Sequence, residues 1–174
     1  MQFSIIALLS AAVLAAPAVA QSVSYSGFAS TVSCSGSSFG CTDGGGVCCS
    51  LPTGFGFSAQ FNNLPSGSQG QGYTGSTCAN FRFAVFGPGT KCQSLGGDRV
   101  SHLNWFHSPQ GRRAVQAREV EGSAKNCSTP SFFKYEVNGA ERTIKVPQGE
   151  EAAQTIADYY HANNLSALDS YEDF

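Results

Sequence analysis

"FFKYEVNGAERTIKV", Phe132 to Val146, decides the fold class. Asn138-Gly139 is the preferred pair for a type I′ turn, in which both central residues take positive φ, and it separates two β-rich runs. The pattern predicts a hairpin with strands Phe132–Val137 and Ala140–Val146. Lys134, Glu136, Glu141, Arg142 and Lys145 then form its solvated edges or a salt-bridged face, a charged outer surface rather than a binding patch.

Beyond Pro147, Ala153, Ile156, Ala157 and Tyr160 recur at i, i+3, i+4 and i+7. That spacing predicts an amphipathic helix whose Ala-rich face packs on a sheet, with Glu150 and Glu151 in its first turn and Asn163-Asn164 at its end. The acidic terminus "DSYEDF" reads as a solvated tail, with Phe174 able to tuck back. Upstream, "SPQGRRAVQAREVEG" reads as a short helix capped by Ser108 and stopped by Gly122.

The remainder has a different texture. Residues 21–97 carry three charged residues, Asp43, Arg82 and Lys91, with 16 of the 20 glycines and 6 of the 7 cysteines. Residues 98–174 carry 19 charges, which marks a Gly/Cys-rich β half and a charged hairpin-helix half of one secreted domain, 21–174. The first half is also rich in Phe, which a disordered segment lacks. In "GFGFSAQF", Phe55, Phe57, Ala59 and Phe61 alternate with Gly, Gly, Ser and Gln, predicting a strand with one aromatic face and a nearly bare one open to close packing. "FRFAVF", Phe81 to Phe86, has apolar residues on both faces and reads as a central strand ending at Gly87-Pro88-Gly89. "SVSYSGFASTV" is a weaker strand.

Residues 1–20 have no charged side chain, a short apolar run and Ala18-Val19-Ala20, the layout of a secretory signal peptide. An extracellular protein is expected, with no membrane insertion. The formal net charge of −2 supplies no field to recruit nucleic acid.

An oxidising compartment directs Cys34, Cys41, Cys48, Cys49, Cys78 and Cys92 to disulfides, because their spacing fits neither a zinc site nor a redox Cys-x-x-Cys. Adjacent Cys48 and Cys49 each need a different partner and so form a junction, next to a turn that Gly44-Gly45-Gly46 makes accessible. Three bridges within the Gly-rich half leave Cys127 over, as an intermolecular link in a homodimer or a free thiol. The alternative bridges Cys127 to the first half and leaves another cysteine unpaired. Asn126 and Asn164 stand in glycosylation sequons. Arg112-Arg113 is a dibasic pair that a kexin-like protease could cut, although one core needs residues from both sides of it.

No catalytic residue is assigned, and no cofactor or metal. His102 and His107, beside Trp105, are five apart, which places them on opposite sides of a strand, and the Gly-rich half holds the single carboxylate Asp43. "GGDRV", Gly96 to Val100, resembles the arginine-bearing stretch of guanyl-specific fungal ribonucleases, which would make Arg99 with His102 or His107 the candidates. The signal peptide, modest length and Cys, Gly and Ser content resemble those of small secreted cysteine-rich proteins of filamentous fungi, the effector and elicitor class. That resemblance implies action on a host or competitor surface. The expectation is a non-enzymatic, disulfide-stabilised, β-rich α+β protein, a compact antiparallel sheet or small β-barrel with a C-terminal helix, acting through a rigid surface. The alternatives are a killer toxin or antimicrobial protein, and a small secreted hydrolase of ribonuclease type.

Overall fold

A computed structural model describes residues 22–30, 33–107, 127–149 and 151–174. The signal segment, Arg112-Arg113, Asn126, Glu150 and the helix expected after Ser108 lie outside these residues. Among the described residues, ten strands run in chain order: β1 Val23–Phe28, β2 Ser38–Asp43, β3 Cys49–Ser50, β4 Ser58–Leu64, β5 Ser68–Tyr73, β6 Phe81–Phe86, β7 Gly89–Ser94, β8 His102–His107, β9 Phe132–Val137 and β10 Ala140–Lys145. One α-helix, α1 Ala152–His161, and a 3₁₀ turn, Leu165–Ser170, follow.

The strands form two antiparallel sheets, one of six in the order β10-β9-β2-β1-β4-β7 and one of four in the order β3-β8-β5-β6. The β-rich α+β class expected from sequence is therefore the fold, as two packed sheets with a helix. Alternation explains the packing: Tyr25, Phe39, Phe61, Phe133 and Ile144 point inward from the large sheet and are fully buried with Leu103 and Trp105 of β8. Gly70 of β5 makes room for this, because a Cβ there would collide with the Phe61 ring. Ala153, Ile156 and Ala157 of α1 cover the rest, with Tyr160 against Phe133 at 5.5 Å. Both textures of the sequence thus contribute to a single core.

The hairpin forms as read, Asn138 and Gly139 at φ 53° and 75° between β9 and β10. Lys134 and Glu141 form an ion pair across it at 2.7 Å. The helix also forms where the periodicity places it, and Asn163 at φ 55° ends it. Its first turn lacks an acid, since Glu151 is the residue before it.

Three expectations are corrected. The strand drawn from Phe55 begins only at Ser58, because Gly56 at φ 94° turns the chain out of the extended region. Phe55 still reaches the core while Phe57 is half-buried. The close packing expected at its glycines does occur, since Gly56 lies against the Val100 carbonyl. Second, "FRFAVF" is the edge strand β6, with Phe81 and Phe86 exposed, because the chain crosses after Gly87-Pro88 to pair β7 with the other sheet. Third, the acidic terminus is not a solvated tail. Asp173 bridges to Ile144, the Phe174 N–H donates to Thr143 O at 3.0 Å, and Arg142 and Lys145 bind Asp169, Asp173 and Glu172. The terminus thereby covers the outer edge of β10, an edge that would otherwise offer unpaired backbone groups.

Candidate functional site

Asp43 and Arg99, two of the polar groups singled out for chemistry, are engaged in structural hydrogen bonds. Asp43, at the end of β2, takes the Tyr25 hydroxyl on one oxygen and, on the other, the Trp105 indole N–H at 2.8 Å and the Gly45 N–H at 2.7 Å. Burial, and next the adjacent carboxylate, pushes the Tyr25 phenol far above its ordinary range, so it stays a donor. Gly46 N–H donates to the Trp105 carbonyl at 2.7 Å, and Gly45 takes φ 101° against the indole. The triple glycine is thus a turn laid over Trp105.

Arg99 donates from Nε to Phe55 O at 2.7 Å and from Nη2 to Pro52 O at 3.0 Å. His107 lies exposed beside Trp105, at 5.4 Å between rings, while His102 is buried. They sit at opposite ends of β8, five residues apart, and Arg99 is held by backbone carbonyls, so the three do not converge on a common point. His161 packs on Gly54 and Phe55 at the end of α1.

The structure pairs Cys34 with Cys92, Cys41 with Cys49 and Cys48 with Cys78. The junction at Cys48-Cys49 therefore ties β3 to β2 on one side and to the loop between β5 and β6 on the other. Cys127 is the unpaired cysteine and is half-buried. Its neighbour explains this: Ser128 N–H donates to Cys48 O at 2.8 Å and Ser128 O accepts from Ser50 N–H at 2.9 Å, which lays Cys127 beside Cys48. The two sulfurs are 2.8 Å apart. His102 completes the group, with one ligand atom each from Cys48, His102 and Cys127 lying within 4.8 Å of one another. Burial lowers the affinity of His102 for a proton and raises the Cys127 thiol pKa.

A second feature crosses the outer face of the six-stranded sheet. Ser26 of β1, Ser38 of β2, Gln60 and Asn62 of β4, Phe132 and Lys134 of β9 line a groove there. Gly40 lets the Phe132 ring lie across β2, since a Cβ would collide with it. Gln60 donates to Asn62 Oδ1 at 2.6 Å and Asn62 to Ser24 Oγ at 3.1 Å, so the amides are fixed as a row. Ser38 is 1% exposed and its hydroxyl has no hydrogen-bond partner among the described residues. The Lys134–Glu141 pair leaves the groove's rim without net charge. These residues were not among the sequence candidates; the hydroxyl and amide alternation of Ser24, Ser26, Ser58, Gln60 and Asn62 was the available signal. Asn164 is exposed next to the 3₁₀ turn.

Fold and sites define a disulfide-stapled two-sheet protein with a neutral polar groove. The family model ARB_05566_N, an N-terminal domain, matches residues 25–131, and the chain belongs to that family. The match ends just before β9, although β9 pairs with β2 inside it. No curated protein matches the chain. No solved structure matches it either.

Proposed function

We propose that the protein is secreted and acts without catalysis, in the manner of a fungal effector or elicitor, by holding a neutral polyhydroxylated component of a host or competitor surface in the groove. The observation that carries this is the fixed row of Ser, Gln and Asn side chains beside the Phe132 ring, with a buried Ser38 hydroxyl that has no partner among the described residues. Hydroxyls and amides hydrogen-bond sugars in both directions, an aromatic face covers their C–H surface, and a rim on which Lys134 is already paired with Glu141 favours a neutral ligand over an anion. The engagement of Asp43 and Arg99 in structural hydrogen bonds supports binding over hydrolysis. An extracellular setting agrees with the three bridges.

The test is retention on insoluble chitin, β-glucan and cellulose, with release of reducing ends and RNA cleavage measured in parallel. The expected result is retention on one polymer, at least tenfold reduced in Gln60→Ala/Asn62→Ala, without cleavage products. Retention on none, or new reducing ends or cleaved RNA, overturns the proposal. Infiltration of leaf tissue and growth inhibition of yeasts, with the same variant as control, separate an elicitor from a killer toxin.

A further inference from the structure

We infer that Cys48 is a thiol–disulfide exchange centre, at which Cys127 displaces Cys78 and transfers the free thiol to the loop between β5 and β6. Three observations meet there. Cys48 is bonded to Cys78, the Cys127 sulfur stands 2.8 Å from the Cys48 sulfur, and backbone hydrogen bonds from Ser128 to Cys48 and from Ser50 to Ser128 hold it in place. Exchange proceeds by attack of a thiolate on one sulfur of a disulfide, so proximity of this kind is what the reaction requires.

The step balances within the chain. The Cys127 thiolate forms a bond to Cys48 Sγ, the Cys48–Cys78 bond breaks, and Cys78 leaves as thiolate. The proton lost by Cys127 ends on the departing Cys78 sulfur, and the His102 imidazole lies within 4.8 Å of the Cys127 and Cys48 sulfurs. One disulfide and one thiol exist before and after, and no oxidant or reductant is consumed. The location of the thiol changes. Cys127 is pinned along β3, whereas Cys78 lies in a surface loop between exposed Ser76-Thr77 and Ala79-Asn80. Cys78 is half-buried, as Cys127 is, so exchange does not uncover the thiol but moves it from the β3 side into a stretch with exposed residues on either side, nearer to an external disulfide or a second copy of this chain.

The folded, oxidised protein is incubated without reductant, trapped with N-ethylmaleimide, digested without reduction and mapped by mass spectrometry. The expected result is one label per chain, divided between Cys127, with Cys48 linked to Cys78, and Cys78, with Cys48 linked to Cys127. Cys127→Ser should lose the label entirely, and Cys78→Ser should lose it too, by forming the Cys48–Cys127 bond. Label on Cys127 alone, with none on Cys78, overturns the inference. A folded Cys78→Ser with two free thiols does the same, and if that variant fails to fold the wild-type map decides.

Discussion

The Asp43 carboxylate accepts the Trp105 indole N–H at 2.8 Å, joining the end of β2 to the middle of β8. The same carboxylate takes the Tyr25 hydroxyl and the Gly45 N–H. Asp43→Ala removes an acceptor from all three donors; the Tyr25 hydroxyl keeps Val47 O at 3.2 Å, while the fully buried Trp105 indole N–H is left unpaired. The expected loss is about 3 kcal/mol, the scale of buried donors left unpaired. Asp43→Asn keeps one carbonyl oxygen and should lose less. Urea unfolding checks both, and equal losses would count against the hydrogen-bond account.

Ser38 gives the opposite sign. Its buried hydroxyl has no partner among the described residues, so Ser38→Ala removes a desolvated polar group and should leave stability unchanged or raise it by about 1 kcal/mol. Polymer retention should fall in the same variant. A destabilised Ser38→Ala with retention intact would show that the hydroxyl serves the fold.

Gly56 combines φ 94° with the Val100 carbonyl packed against it, and its own carbonyl accepts the Val100 N–H at 2.9 Å. Gly56→Ala should cost at least about 2 kcal/mol, from backbone strain together with the collision. Gly139 also has positive φ, 75°, but open space around it. Gly139→Ala should cost about 1 kcal/mol. Similar thermal midpoints for the two would mean that crowding at Gly56 is easily relieved.

Loop length orders the bridges. Cys34 and Cys92 are 58 residues apart, Cys41 and Cys49 only 8. Chain-entropy arguments assign about 4 kcal/mol to the first and about 2.5 kcal/mol to the second. Cys34→Ser/Cys92→Ser should therefore be the less stable double variant in urea, and the reverse order would point to enthalpic terms.

Buried His102 binds a proton less readily than it would in the unfolded chain, chiefly because burial penalises its charged form. Its neutral form therefore contributes stability that is fully present above the unfolded value of about 6.5 and is lost as pH falls through the lowered folded one. Urea midpoints measured from pH 7.5 downward should drop more steeply for the wild type than for His102→Gln. Parallel curves would mean that His102 gains its proton as easily folded as unfolded.

The elements read correctly from sequence are those fixed by neighbours in the chain. Asn138-Gly139 specifies its own turn, and the spacing from Ala153 to Tyr160 specifies its own face. Long-range pairing escaped. Alternation in "FRFAVF" says that both faces carry apolar groups, but edge or centre depends on which strands lie alongside. The place of Cys127 depends on Ser128 meeting Cys48, 80 positions away, which no local pattern records. Asp43 looked like an isolated acid because its donors, Tyr25 and Trp105, come from strands on either side of it in sequence. The groove was hidden for a related reason, since Ser38, Gln60 and Lys134 become neighbours only through the order of β9, β2, β1 and β4.

All three disulfides close between Cys34 and Cys92, while β2 joins β9 only by hydrogen bonds and packing. A nick at Arg112-Arg113 would thus produce two polypeptides with no covalent tie, separable by denaturant without reductant. Transfer of Cys48 to Cys127 reverses this outcome, because the same nick then yields a covalently coupled heterodimer. The choice of sulfur partner decides whether a processed molecule can dissociate.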